Sequence, residues 1–181
     1  MERMKKPLVL ITALLIGLSS CRSNGDIAGP NQKLADNVDL KRFFGKWYVH
    51  GFTPTFLDKN AVNATETYEL GEDGKINTTY AFRKHEPGGK LKTYKPVGWV
   101  HDKRTSAEWR MRFFGLFTAP YYILYVDENY ETTVVGHPKK ELAWIMSRSP
   151  QVDSDTYNQL LDELESRDYK LERFRRMQQD W

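Results

Sequence analysis

From Lys46 onward the chain alternates hydrophobic and polar positions in short bursts. Ala64, Glu66, Tyr68 and Leu70 share one parity, Ile76, Thr78, Tyr80 and Phe82 another, and Trp109, Met111 and Phe113 stand against Glu108, Arg110 and Arg112. A period of two marks strands with one face on a core and the other in water. Turn clusters cut these bursts at fairly regular spacing: "GEDG" (71–74), "HEPGG" (85–89), "HDKRTS" (101–106), "DENYE" (127–131) and "GHPKKE" (136–141). Many short strands between turns predict an antiparallel sandwich or barrel. Charges at Glu108, Arg110 and Arg112 are costly on a lipid-facing surface, so the outer face is expected in water and not in a bilayer, as a porin's would be.

The period changes near the end. Tyr157, Leu160, Leu161 and Leu164 fall at i, i+3, i+4 and i+7, with Asp153 placed to cap and Asp155 in the first turn, which predicts a helix with one apolar stripe lying on the outside of the sheet. The last stretch, "YKLERFRRMQQDW", predicts a short strand around 171–177.

The start of the chain has another texture. "MERMKK" is basic, an eleven-residue apolar stretch follows from Leu8 to Leu18, and Ser19, Ser20 and Cys21 close the run. A spanning helix needs about 20 apolar residues, so this run reads as a secretory leader, residues 1–20. Cys21 is the single cysteine in 181 residues. "LSSC" resembles the lipobox of bacterial lipoproteins, and that resemblance implies cleavage before Cys21 and acylation of its thiol, a membrane anchor. Two or more chains are needed for stable anchoring. Residues 21–37, rich in Gly, Asn, Asp and Ser, would be the lipidated cysteine and a flexible tether to a domain over 38–181. Arg22 follows the cysteine where an Asp favours inner-membrane retention in such lipoproteins, which implies the outer membrane, with the domain on its periplasmic face.

Removing the first 20 residues leaves 161, enough for one domain with its own core. The balance of Lys and Arg against Asp and Glu then falls from 27 against 24 to 24 against 23, which argues against a nucleic-acid partner. With Cys21 assigned, no disulfide is expected in the domain, so packing must hold it.

"FFGKWYVHGF", with Gly45, Trp47 and Tyr48, resembles the G-x-W-Y signature of lipocalins. "AWIMSRSP" (143–150) resembles that family's third motif, an Arg ending the eighth strand just before the helix. "APYYILYVDENY" stands where the middle motif belongs, with Val126, Asp127 and Glu128 in place of T-D-Y. Over about 38–181 the chain is similar to bacterial lipocalins of the outer-membrane lipoprotein branch, relatives of apolipoprotein D. The resemblance implies an eight-stranded antiparallel up-and-down β-barrel closed into a cup, with one C-terminal α-helix packed outside. It implies a structural role for Gly45, Trp47 and Arg148, the guanidinium lying on the indole at the closed end.

No nucleophile elbow, zincin motif or phosphate loop is present, and His50, His85, His101 and His137 lie far apart, mostly in or beside turns, as surface histidines would. No metal and no cofactor are expected. With the family's register, Tyr68, Tyr80, Trp109, Met111, Phe113, Trp144 and Met146 point inward as a ligand lining; aromatic and Met side chains suit a flexible apolar guest, and a packed core is the alternative. The same register puts Phe52, Phe56, Leu57, Phe114, Leu116 and Phe117 at the mouth beside Lys84, His85, Lys90, Lys139 and Lys140, as an entry for lipid or a contact with membrane. The resulting expectation is a non-enzymatic binder of fatty acids, lysophospholipids or similar amphiphiles. Two alternatives stand beside it: an enzyme of the same fold acting on a lipid or isoprenoid, with inward Glu66 as acid or base, and a module that forms a homodimer through its apolar rim.

Overall fold

In a computed structural model the described residues are 32–181; the leader, Cys21 and most of the tether lie outside them, and with them the expectations of export and acylation. A short helix α1 (Leu40–Phe43) precedes strands β1 (Gly45–Phe52), β2 (Ala61–Leu70), β3 (Ile76–Lys84), β4 (Leu91–Tyr94), β5 (Val97–Asp102), β6 (Glu108–Phe113), β7 (Phe117–Val126), β8 (Thr132–Gly136) and β9 (Ala143–Ser147). Helix α2 (Ser154–Glu165) and a two-residue strand β10 (Arg175–Arg176) follow. Neighbouring strands pair antiparallel in chain order, and β1 also pairs with β9, which closes the sheet into a barrel. β4 and β5 keep one register against β3, Tyr80 opposite Tyr94 and Asn77 opposite Val97. They are one strand interrupted at Pro96, which has no N–H to give the ladder, while its carbonyl still accepts from Thr78 N at 3.1 Å. Counted so, eight strands make the barrel.

The alternation places one apolar set inside and a second outside. Trp47, Tyr68, Ile76, Phe82, Trp109, Met111, Ile123, Val135 and Met146 form the interior cluster. Tyr122, Leu124, Val134 and Ile145 face out and meet Tyr157, Leu160 and Leu164 of α2. Asp153 caps that helix by accepting from Thr156 N at 2.8 Å. The chain then returns across β1, where β10 takes the edge that β2 leaves after Tyr48. Gly51 makes this crossing possible: a Cβ there would lie 2.7 Å from the Phe174 ring.

Three expectations need correction. Glu108 and Arg110 do face outward, but they are buried: Arg110 Nη1 donates to Glu108 Oε1 at 2.6 Å, and a paired charge can be covered where a lone one cannot. Arg112 remains exposed, 5.3 Å over the Trp99 ring. His50 is a core residue, its Nε2 2.8 Å from Ser147 Oγ and 3.0 Å from the Ser149 carbonyl, and burial pushes its pKa below the ordinary value. Leu70, of inward parity, ends β2 in solvent at the hairpin.

Candidate functional site

Because consecutive strands alternate in direction, the segments 53–60, 85–90, 114–116 and 137–142 gather at one end of the barrel and α1 with the remaining turns at the other. The second end is closed. Gly45 holds φ +100°, a conformation that favours glycine, as the chain turns from α1 into β1. Trp47 points inward and donates its indole N–H to Phe43 O at 2.9 Å. Arg148 lies over that indole with its guanidinium carbon 3.6 Å from the ring centroid. The same guanidinium donates to the carbonyls of Lys46 (2.8 Å), Arg42 (2.6 Å), Phe43 (3.0 Å), Phe44 (3.0 Å) and Tyr130 (3.2 Å). One cation thus ties α1, β1 and the β7–β8 turn together.

Above this plug an aromatic layer forms a floor. Phe43, Tyr68 and Trp109 meet at 5.5–5.7 Å between ring centroids, and Trp109 stacks on Tyr121 at 5.6 Å. Of the seven residues expected as ligand lining, Tyr68, Trp109 and Met146 lie in this layer and in the closed core, off the cavity wall. The other four, Tyr80, Met111, Phe113 and Trp144, line a cavity of about 430 Å³ that opens between the loops. That volume falls within the range of small-molecule sites.

The mouth divides in the same way. Phe56, Phe114, Leu116 and Phe117 are exposed, and Phe56, Leu57, Phe114 and Phe117 also reach the cavity wall. Phe52 does not belong there: as the last residue of β1, opposite Trp144, it is buried in the interior cluster. Lys139 is exposed at the β8–β9 turn, whereas Lys140 is engaged by the segment after α2, its Nζ 3.3 Å from Asp168 Oδ2. Lys90 and His85 are exposed and Lys84 half-buried in the β3–β4 region.

The lining that the cavity exposes is almost wholly apolar, but buried polar groups gather along one side of it, which alternation alone did not suggest. Glu66, cross-strand from Tyr80, accepts from the Tyr68 hydroxyl, and that hydroxyl lies 2.5 Å from the Tyr121 hydroxyl. Nearer the mouth, Asp58 accepts from Thr55 N and Thr55 Oγ1 at 2.7 Å each and from the Tyr80 hydroxyl at 3.0 Å. Thr78 Oγ1 is buried on the same wall with no hydrogen-bond partner among the described residues. Desolvation raises the Glu66 pKa to about 7, opposed by the Tyr68 hydrogen bond, with the Asp58 charge adding to the rise. Burial keeps Tyr68, Tyr80 and Tyr121 protonated, their pKa values well above the ordinary one. No Lys, Arg or His lines the cavity among the described residues. Thr78, Tyr80 and Glu66 carried a readable inward parity; Asp58, in a loop, had no periodic signal, and Tyr121 sat inside the unbroken run "YYIL".

A closed eight-stranded up-and-down barrel, plugged at one end, open through an apolar mouth at the other and flanked by one helix, defines a cup-shaped binding fold for small hydrophobic ligands. The Lipocalin-like domain family model matches residues 38–179, and the chain belongs to that family. Within it the chain falls with the bacterial and apolipoprotein D branch. It is 28% identical over 130 residues to outer membrane lipoprotein Blc of Citrobacter freundii, covering 71% of this chain and 72% of that one. It is 29% identical over 152 residues to mouse (Mus musculus) apolipoprotein D, covering 80% and 78%. Lobster apocrustacyanin A1 superposes with a TM-score of 0.62 at 12% identity, over 84% of this chain and 93% of that one, which shows the shared fold. Members of this family are in general binding and transport proteins.

Proposed function

We propose that this protein is a lipid-anchored carrier that takes up fatty acids, lysophospholipids or similar amphiphiles at the bacterial outer membrane, from its periplasmic face, and does no chemistry on them. The observation that supports this best is the apolar cavity entered through exposed Phe56, Phe114 and Phe117, a shape made for an acyl chain. Each methylene buried contributes about 0.8 kcal/mol, while an exposed charge pair at the rim adds at most about 1 kcal/mol, so the tail should dominate affinity. Titration of delipidated, folded protein with saturated fatty acids should give a Trp fluorescence response whose affinity rises with chain length and then levels off. Trp144, on the wall, should carry the signal, and Trp144→Ala should weaken binding about tenfold or more. A flat response across fatty acids and lysophospholipids would remove the carrier reading.

The anchoring half of the proposal rests on "LSSC" and on the likeness to relatives named as outer membrane lipoproteins. Cys21→Ser should leave the domain folded and move it from the membrane pellet to the soluble periplasmic fraction. Retention in the pellet would mean that something other than an acylated Cys21 holds it.

A further inference from the structure

The cavity has two unlike walls. One is aromatic and thioether, with Met111, Phe113 and Trp144; the other is apolar in most of what it exposes but has two carboxylates, Asp58 and Glu66, and the unpartnered hydroxyl of Thr78 buried along it. A cavity built only for hydrocarbon would not bury a threonine Oγ without a partner, since a lone buried hydroxyl forfeits its hydrogen bonds to water. Neither would a cavity meant for a carboxylate or phosphate head place two acids on its wall with no cationic side chain beside them.

We infer that the inner wall formed by Asp58, Glu66 and Thr78 is a hydrogen-bonding subsite that receives an uncharged or cationic donor group on the buried part of a ligand, a hydroxyl or an ammonium, and turns anionic groups back to the mouth. The carboxylates accept; Thr78 Oγ1 completes the set as donor or acceptor. Asp58 is already held by Thr55 and Tyr80, and Glu66 by Tyr68, so the acceptors are fixed in place before a ligand arrives. Exposed Lys90 and Lys139 stand at the mouth loops, where an anionic head left outside would meet them. The inference rests on the carrier reading and narrows it: an anionic amphiphile enters tail first, and a hydroxyl or amine on that tail is accommodated.

Four matched twelve-carbon probes separate the possibilities, differing only in the group at the far end: dodecanoate, 12-hydroxydodecanoate, 12-aminododecanoate and dodecanedioate, titrated at pH 8. In a wall without partners the terminal hydroxyl would lower affinity about tenfold or more through its lost hydration. The expected result is that 12-hydroxydodecanoate binds at least as tightly as dodecanoate, while dodecanedioate, which must bury a carboxylate, binds at least tenfold more weakly. The amino probe distinguishes the two donor classes: tighter binding than the hydroxyl probe assigns the subsite to ammonium groups, weaker binding to hydroxyls. In Thr78→Val, which keeps the shape and puts a methyl where the hydroxyl was, the hydroxyl probe should fall about tenfold or more below dodecanoate titrated against the same variant. A tenfold deficit of the hydroxyl probe in wild type, or a dioate as tight as the hydroxyl probe, overturns the inference and leaves the carrier standing. Failure of all four to bind overturns the carrier reading, and the inference with it.

Discussion

Arg148→Ala should unfold at a temperature roughly 6–12 °C below the wild type and yet bind fatty acid with nearly unchanged affinity. The guanidinium does two things at the closed end. It lies 3.6 Å over the Trp47 ring, worth about 0.5–2 kcal/mol for a partly desolvated pair. It also supplies donors to carbonyls of α1, β1 and the β7–β8 turn, including Arg42 O at 2.6 Å and Lys46 O at 2.8 Å. Bonds from a charged donor are stronger than neutral ones, and a carbonyl left without one loses more than the bond unless water reaches it. Water reaches part of this end, so the loss is about 3 kcal/mol and not the sum of five bonds. In a domain of this size each kcal/mol shifts the melting temperature by about 2–4 °C. Arg148→Lys keeps the charge but not the fork, and should recover only a small part of the loss. Calorimetry set beside a fatty-acid titration separates the roles, because Arg148 lies below the aromatic floor, off the cavity wall. A variant as stable as wild type that no longer binds lipid would place Arg148 in the ligand site instead.

How far the sequence foretells this architecture depends on what covers each face of a strand. β3 reads cleanly, because Ile76, Thr78, Tyr80 and Phe82 turn in and the residues between them turn toward solvent. β7 reads poorly: Tyr121 and Ile123 face the interior while Tyr122 and Leu124 face α2, so both parities are apolar and the period disappears. The outward charges of β6 were legible as outward and illegible as buried, since the Glu108–Arg110 pair is made within one strand and cover comes from elsewhere in the fold. The burial of His50 is hidden from the sequence for a related reason. Its partners Ser147 and Ser149 are nearly a hundred residues away, brought alongside only when β1 pairs with β9.

The site divides along the same line. Which side chains point inward follows from parity, and Tyr80, Met111, Phe113 and Trp144 could be named from it. How deep each one sits does not follow, because the depth of the floor depends on how Phe43 and Trp47 fill the closed end beneath Tyr68 and Trp109. The polar wall needs a loop residue, Asp58, to meet two strands, a contact that no local pattern records. Lys140 is the converse case: the mouth register drew it in, but Asp168, beyond the helix, claims its ammonium.

Glu66→Gln should be about as stable as wild type near pH 4 and about 3 kcal/mol more stable at pH 8. The Glu66 carboxyl titrates at about 7 in the fold, up from the ordinary 4.5, chiefly because burial penalises its charge. Between those two pH values the folded state holds a proton that the unfolded chain has given up. Stability from this group is therefore full below about 4.5 and is lost as pH rises through 7. Each tenfold gain in proton affinity on folding is equivalent to about 1.4 kcal/mol, which gives the expected difference. Gln keeps the shape and can still accept from the Tyr68 hydroxyl, but carries no charge to desolvate. His50 contributes with the opposite sign: burial depresses its pKa, so the unfolded state binds the extra proton below about 6.5 and acid destabilises the fold. Subtracting the Glu66→Gln curve from the wild-type curve cancels His50, which both proteins share, and isolates the carboxyl. The groups facing Glu66 are Tyr68, Tyr121 and Asp58. The tyrosines stay protonated throughout, leaving Asp58 as the neighbouring charge, and Asp58→Asn should bring the midpoint of the difference curve down. Denaturant unfolding of four proteins from pH 4 to 8, wild type, Glu66→Gln, Asp58→Asn and the double variant, gives the difference curve with and without the Asp58 charge. A wild-type minus variant difference that stays flat across that range would show Glu66 ionising as it does in water, and would remove the buried carboxyl of raised pKa from the inner wall.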